Sequence, residues 1–74
     1  MAYKLFAERL NQELDSMEVP SHHSERTAVL AKLIHVPRFK AQAFLDGIYL
    51  PDEEVLASLC NELEVEVEWL LGKD

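Results

Sequence analysis

The chain lacks nearly everything that would mark an enzyme, a secreted protein or a membrane protein. Its one cysteine, Cys60, cannot close an internal disulfide, which points to a reducing cytoplasm. Only two glycines occur, Gly47 and Gly72, so there is no glycine-rich loop to cradle a phosphate. No apolar run approaches the roughly 18 residues that a membrane helix needs, because charges recur every few positions. The opening residues 1–10 are mixed rather than apolar, so no signal peptide is expected. Basic side chains are scarce as well: seven stand against fourteen acids, leaving a net charge of −7. What remains is 74 residues, 49% hydrophobic and 28% charged, a globular composition for a single domain over residues 1–74. A chain this short buries only about 60–65% of its unfolded surface, which favours a binding module over an enzyme.

The net charge hides a division. Residues 1–40 hold six bases and five acids, whereas residues 41–74 hold one base, Lys73, and nine acids. All three histidines also fall in the first part. Such an asymmetry lets one face meet an anion while the rest keeps the protein in solution.

Hydrophobic spacing points to helices throughout. Phe6, Leu10, Leu14 and Met17 form one apolar stripe with charged residues between them, which predicts a helix over about residues 3–17. Val19-Pro20 ends it, and Ser24 is positioned to cap a second helix running from about Glu25 through Val29, Leu30, Leu33 and Ile34. After His35-Val36, Pro37 opens a third helix that extends to Leu45 and stops at Asp46-Gly47. Asp52, Glu53 and Glu54 crowd the first turn of a fourth, whose buried stripe is Val55, Leu56, Leu59, Cys60 and Leu63. Val65 to Glu68 alternates like a strand, but a lone strand has no sheet to join, so a short fifth helix ending at Gly72 is expected. The fold class is all-α, a compact bundle of about five short helices.

Within this pattern, Thr27 to Phe44 resembles the helix-turn-helix of the phage-repressor-like family (lambda repressor/Cro, XRE-type). Ala31 fills the place of the small residue that lets the two helices cross closely. Leu30, Ile34, Val36, Ala41 and Phe44 sit at the matching apolar steps. The segments Phe6-Ala7-Glu8-Arg9-Leu10-Asn11, Asp46-Gly47 with Pro51, and Leu63 to Gly72 with its Trp-Leu-Leu-Gly close are similar to such domains in the same order. The resemblance covers nearly the whole chain. Four positions depart from it. His35 replaces the Gly of the turn, Pro37 the Ser that caps the recognition helix, Thr27 a Gln and Glu64 a Gly. Histidine tolerates the left-handed region better than most residues, at a cost of roughly 1 kcal/mol.

The resemblance implies a sequence-specific, DNA-binding transcriptional regulator of bacterial or phage type, a cytoplasmic repressor acting as a homodimer. Its recognition helix, about Pro37 to Leu45, would lie in the major groove of double-stranded DNA. On a helical wheel Ala41, Phe44 and Leu45 face the core, while Phe39, Gln42, Ala43 and Asp46 lie opposite, flanked by Arg38 and Lys40. Base readout then falls to Arg38 on guanine, Gln42 on adenine, and Phe39 and Ala43 on thymine methyls. Arg26, Thr27 and Lys40, joined by His22 or His23, are expected at phosphates. Trp69, Leu70 and Leu71 are expected to divide between core and dimer contact. The alternative is the same fold used as a protein-interaction module, of antitoxin or anti-repressor type, whose acidic surface meets a basic protein. A third reading makes these residues the DNA-binding part of a longer repressor.

No other constellation rises to a site. Adjacent His22 and His23 point apart and no His-x3-His pair exists, so no metal is expected. Cys60 sits on the apolar stripe of the fourth helix, and Glu64, Glu66 and Glu68 read as a solvated rim. No cofactor, catalytic residue or membrane partner is expected.

Overall fold

The computed structural model describes residues 3–73, and five helices occur among them: α1 (Lys4–Ser16), α2 (His23–Ile34), α3 (Arg38–Leu45), α4 (Glu53–Leu63) and α5 (Val67–Leu71). Expectations that touch Met1 or Asp74, namely the opening segment, the last acid and the outer limits of the domain, lie outside the described residues. The fold is an all-α bundle with no strand among the described residues. Its radius of gyration, 10.9 Å, matches the roughly 11 Å expected of a folded chain of this length. No described helix is long and apolar enough to cross a membrane.

One core joins all five helices. Phe6, Leu10 and Leu14 from α1 meet Leu30, Ala31 and Ile34 from α2, and Ala41, Phe44 and Leu45 from α3. Leu56, Leu59, Cys60 and Leu63 from α4 and Leu70 from α5 complete it. α2 packs on α3 and α4, while α1 packs on α3 and α5. At about 25 cal/mol per Å2 of apolar surface, burial of these stripes is what stabilises helices too short to persist alone.

The helices share one way of stopping. Each is followed by a left-handed residue: Glu18, His35, Gly47, Glu64 and Gly72, with φ between 57° and 78°. In each case the next N–H reaches back five residues to a helical carbonyl: Val19 to Leu14, Val36 to Ala31, Ile48 to Ala43, Val65 to Cys60 and Lys73 to Glu68, at 2.8–3.0 Å. This is the Schellman closure, which satisfies carbonyls that the helix end leaves open. Val19, Val36 and Val65 then pack against the core, which fixes the direction in which the chain leaves each helix. At Gly47 an added Cβ would lie 2.8 Å from the fixed carbonyl oxygen of Tyr3, whereas at Gly72 it would meet the movable Leu5 side chain at 2.5 Å. The Tyr3 N–H donates to the Gly47 carbonyl at 3.1 Å, tying the start of α1 to the end of α3.

Two helix starts differ from expectation. α2 begins at His23, not Glu25, with His22 as its extended cap residue, so Ser24 lies inside the first turn and its Oγ meets His22 Nδ1 at 3.1 Å. Pro37 stands just outside α3, and its carbonyl accepts from the N–H groups of Lys40 and Ala41 at 3.1 and 3.2 Å. Among the described residues Asp52 is the one helix cap formed by a side chain, its Oδ1 accepting from the Val55 N–H at 2.9 Å.

Candidate nucleic-acid interface

α2 and α3 are joined by residues 35–37, and the left-handed turn at His35 (φ 57°, ψ 49°) swings the chain so that α3 leans across α2. Because α1 and α2 both pack on it, α3 exposes mainly its N-terminal turn to solvent. Arg38, Phe39, Lys40 and Gln42 make up that exposed surface, all from its first five residues. Phe39 is 66% exposed, the most exposed large apolar side chain among the described residues. Among those residues Arg38, Lys40 and the nearby Lys32 form no ion pair, so their charges are open to an external anion.

Ala43, expected at a thymine methyl, is buried. It sits at the edge of the wheel, and its carbonyl accepts from the Ile48 N–H of the closing turn at 2.9 Å. Asp46 is half-buried and its Oδ1 lies 3.7 Å from Nε2 of His23, so it faces the start of α2 rather than standing on the open strip.

The two phosphate contacts assigned to the start of α2 are also corrected. Arg26 is 4% exposed and its guanidinium points inward. Its Nε donates to the Pro20 carbonyl at 3.0 Å, and Nη2 donates to the Val19 carbonyl at 2.9 Å and to Asp15 Oδ1 at 2.5 Å. Nη1 donates to both the carbonyl and the Oδ1 of Asn11, at 3.2 Å each. Every donor direction of the fork is thereby used inside the protein, leaving none for a phosphate. Thr27 is buried too, and its hydroxyl has no hydrogen-bond partner. Sequence spacing gives no warning of this, because a charged residue is the type least often buried.

Lys32 was not singled out from the sequence. It stands in the last turn of α2 and shares an open hollow with Arg38, lined also by Ala28, Val29, Ala31 and Val36. Its signal was its place one turn before the α2–α3 junction, on the side opposite the Leu30–Ile34 stripe.

At the far end of the chain, Leu70 is wholly buried and is the core member of the Trp69-Leu70-Leu71 group. Trp69 and Leu71 are half-buried. The Trp69 ring lies 4.9 Å from the Arg9 guanidinium, which also donates to the Trp69 carbonyl, and Leu71 lines a hollow with Tyr3, Leu5 and Leu50. Among the described residues no group of three or more His, Cys, Asp or Glu is placed to hold a metal ion. No family model, curated protein or solved structure matches the chain.

Proposed function

We propose that the chain is a DNA-binding transcriptional regulator of bacterial or phage type, working in the cytoplasm, with α3 as its recognition helix. One observation carries this reading: the exposed residues of α3, Arg38, Phe39, Lys40 and Gln42, all fall within the first five of its eight residues, and the rest is packed. A helix entering the major groove presents that end to the bases. Arg38 suits guanine, Gln42 suits adenine, and Phe39 suits a thymine methyl. Lys40 and Lys32 replace the buried Arg26 and Thr27 as phosphate contacts, with His22 and His23 exposed at the start of α2. The acids of α4 and α5 keep the remainder of the surface from binding the duplex indiscriminately.

A module of this size covers too little DNA for strong specificity, so it acts as a homodimer. The hollow around Tyr3, Leu5, Leu50 and Leu71, which Lys4 and Lys73 also line, with Trp69 beside it in the chain, is the surface for that contact. The second reading, a protein-interaction module of antitoxin or anti-repressor type, draws on the 66% exposure of Phe39, an apolar ring in the middle of the strip.

Fluorescence anisotropy on random and selected duplexes, titrated with salt, tests the proposal. Three to five phosphate contacts give a log–log slope of roughly −3 to −5 per subunit, with tighter binding to some sequences. No binding near 50 mM salt, a condition that favours phosphate contacts, overturns it in favour of the protein-interaction reading.

A further inference from the structure

α2 is apolar on two sides. Leu30, Ala31 and Ile34 face the core and Leu33 packs on its edge, while Val29, one turn before Leu33 on the outer side, is left exposed. Val29 is 39% exposed and Leu33 is half-buried. Both line a hollow with Lys32, and Val29 and Lys32 continue into the neighbouring hollow that holds Val36 and Arg38. The result is an apolar strip about two helical turns long, roughly 10 Å, with cations along one end. The charges that face it are Lys32 from α2 itself and Arg38 from the start of α3, with Glu25 one turn before Val29 at the opposite end.

We propose that this strip, Val29-Lys32-Leu33-Val36 with Arg38, docks an acidic amphipathic helix of a partner protein. Two observations choose that occupant. Its apolar side chains offer nothing to a phosphate, so DNA gains no contact from Val29 or Leu33, whereas a partner's apolar side chains are removed from water there. Lys32 and Arg38 have no carboxylate of their own among the described residues, and they lie where a partner's acids complete the pairing. The acids of the docked helix cluster at the Lys32–Arg38 end and avoid Glu25, which sets its direction. Because Arg38 also belongs to the proposed base-reading strip, the docked helix and DNA exclude one another. Docking itself goes beyond the DNA reading and does not rest on it.

The test uses the whole chain, labelled with 15N, and two synthetic amphipathic peptides of about fourteen residues, four helical turns. Both carry the same leucine spacing, one with glutamate and one with lysine on its polar face. The acidic peptide is expected to shift the amide signals of Val29, Lys32, Leu33 and Val36 saturably, while the basic one leaves them in place. Val29→Ser and Lys32→Glu each weaken the acidic peptide about tenfold, and both lie at exposed positions where the fold, checked by circular dichroism, is retained. Equal binding of the two peptides, shifts confined to other surfaces, or no saturable shift overturns the proposal. So do concentration-dependent shifts of the same amides without peptide, which assign the strip to a second copy. A loss of DNA affinity in Val29→Ser as large as its loss of peptide affinity would also overturn it, by giving the strip to the nucleic acid. Peptide binding in a chain that binds no duplex leaves docking intact and removes the DNA reading alone.

Discussion

Arg26 Nη2 and Asp15 Oδ1 meet at 2.5 Å, although the Arg26 side chain is 5% exposed and that of Asp15 is 64% exposed. The pair spans the boundary between solvent and interior, and the arginine does more than answer one carboxylate. It also donates to the Asn11, Val19 and Pro20 carbonyls, three backbone acceptors around the turn between α1 and α2. An interior guanidinium in this position is a structural element that happens to be charged. Its loss and the loss of its acid partner therefore have different consequences.

Arg26→Ala strands those carbonyls and is expected to cost about 3 kcal/mol, a large share of the 4–11 kcal/mol typical of a domain this size. Arg26→Lys rescues little, because a point ammonium cannot reproduce the fork. Asp15→Asn, at an exposed carboxylate, is expected to cost about 1 kcal/mol or less. Urea denaturation of the three variants checks the order. Equal costs for Arg26→Lys and Asp15→Asn would mean the backbone contacts contribute nothing.

Three of the five left-handed closures are built on residues that resist them. Glu18, His35 and Glu64 adopt φ of 57–61° with a Cβ present. Replacing Glu64 by glycine removes roughly 1 kcal/mol of strain and is expected to raise Tm by about 4–8 °C. Glu18→Gly and His35→Gly act in the same direction. Gly47→Ala does the reverse, because its Cβ meets the Tyr3 carbonyl oxygen at 2.8 Å. Thermal melts followed by circular dichroism separate the two groups.

Most of the bundle was legible as spacing. Leu10 and Leu14, or Leu59 and Leu63, lie one turn apart on a single face, and periodicity is sufficient to find such stripes. His35 and Gly47 could be read as left-handed from their places at helix ends, whereas Glu18 could not, since nothing in its residue type favours that conformation. The surface of α3 was half legible. Arg38, Phe39, Lys40 and Gln42 emerged as exposed, but Ala43 is buried, and burial depends on tertiary packing that a wheel does not carry. Arg26 went astray for a related reason. A wheel gives direction around one helix, and burial depends on which neighbour stands in that direction.

Thr27→Val tests the correction at the start of α2. The Thr27 hydroxyl is buried with no hydrogen-bond partner, a state that costs about 1–3 kcal/mol. Exchange for a near-isosteric methyl is expected to stabilise the protein by about 1 kcal/mol and leave duplex affinity unchanged. A phosphate contact at Thr27 would give the opposite pair of results, lower affinity without added stability.

Cys60 supplies a pH dependence whose sign is fixed. Burial pushes its thiol above the ordinary value of 9.0, so the folded protein favours the neutral form. The stability this contributes is fully present below about pH 9 and is lost as pH rises through the folded-state value. Wild type is therefore expected to lose stability from pH 8 to pH 10 faster than Cys60→Ala, since the other groups titrating there are common to both. Parallel urea midpoints across that range would show that the thiol is equally solvated in the folded and unfolded chains.

Arg38 and Lys40 stand two residues apart on the same exposed strip, yet their substitution is expected to read differently. Arg38→Ala removes a bidentate donor and costs about 1–3 kcal/mol of affinity at one base pair, so discrimination relaxes there and persists elsewhere. Lys40→Ala removes one phosphate contact, which weakens all sequences alike and reduces the salt slope by about 1. Both side chains are exposed and outside the core, so neither change should alter the melting temperature appreciably. Measuring each variant on a selected duplex, on single-base variants of it and across a salt series separates readout from charge. A uniform loss for both variants would reduce α3 to an electrostatic contact. No loss for either would leave Phe39 as the reason for the exposed strip, and with it the protein-interaction reading.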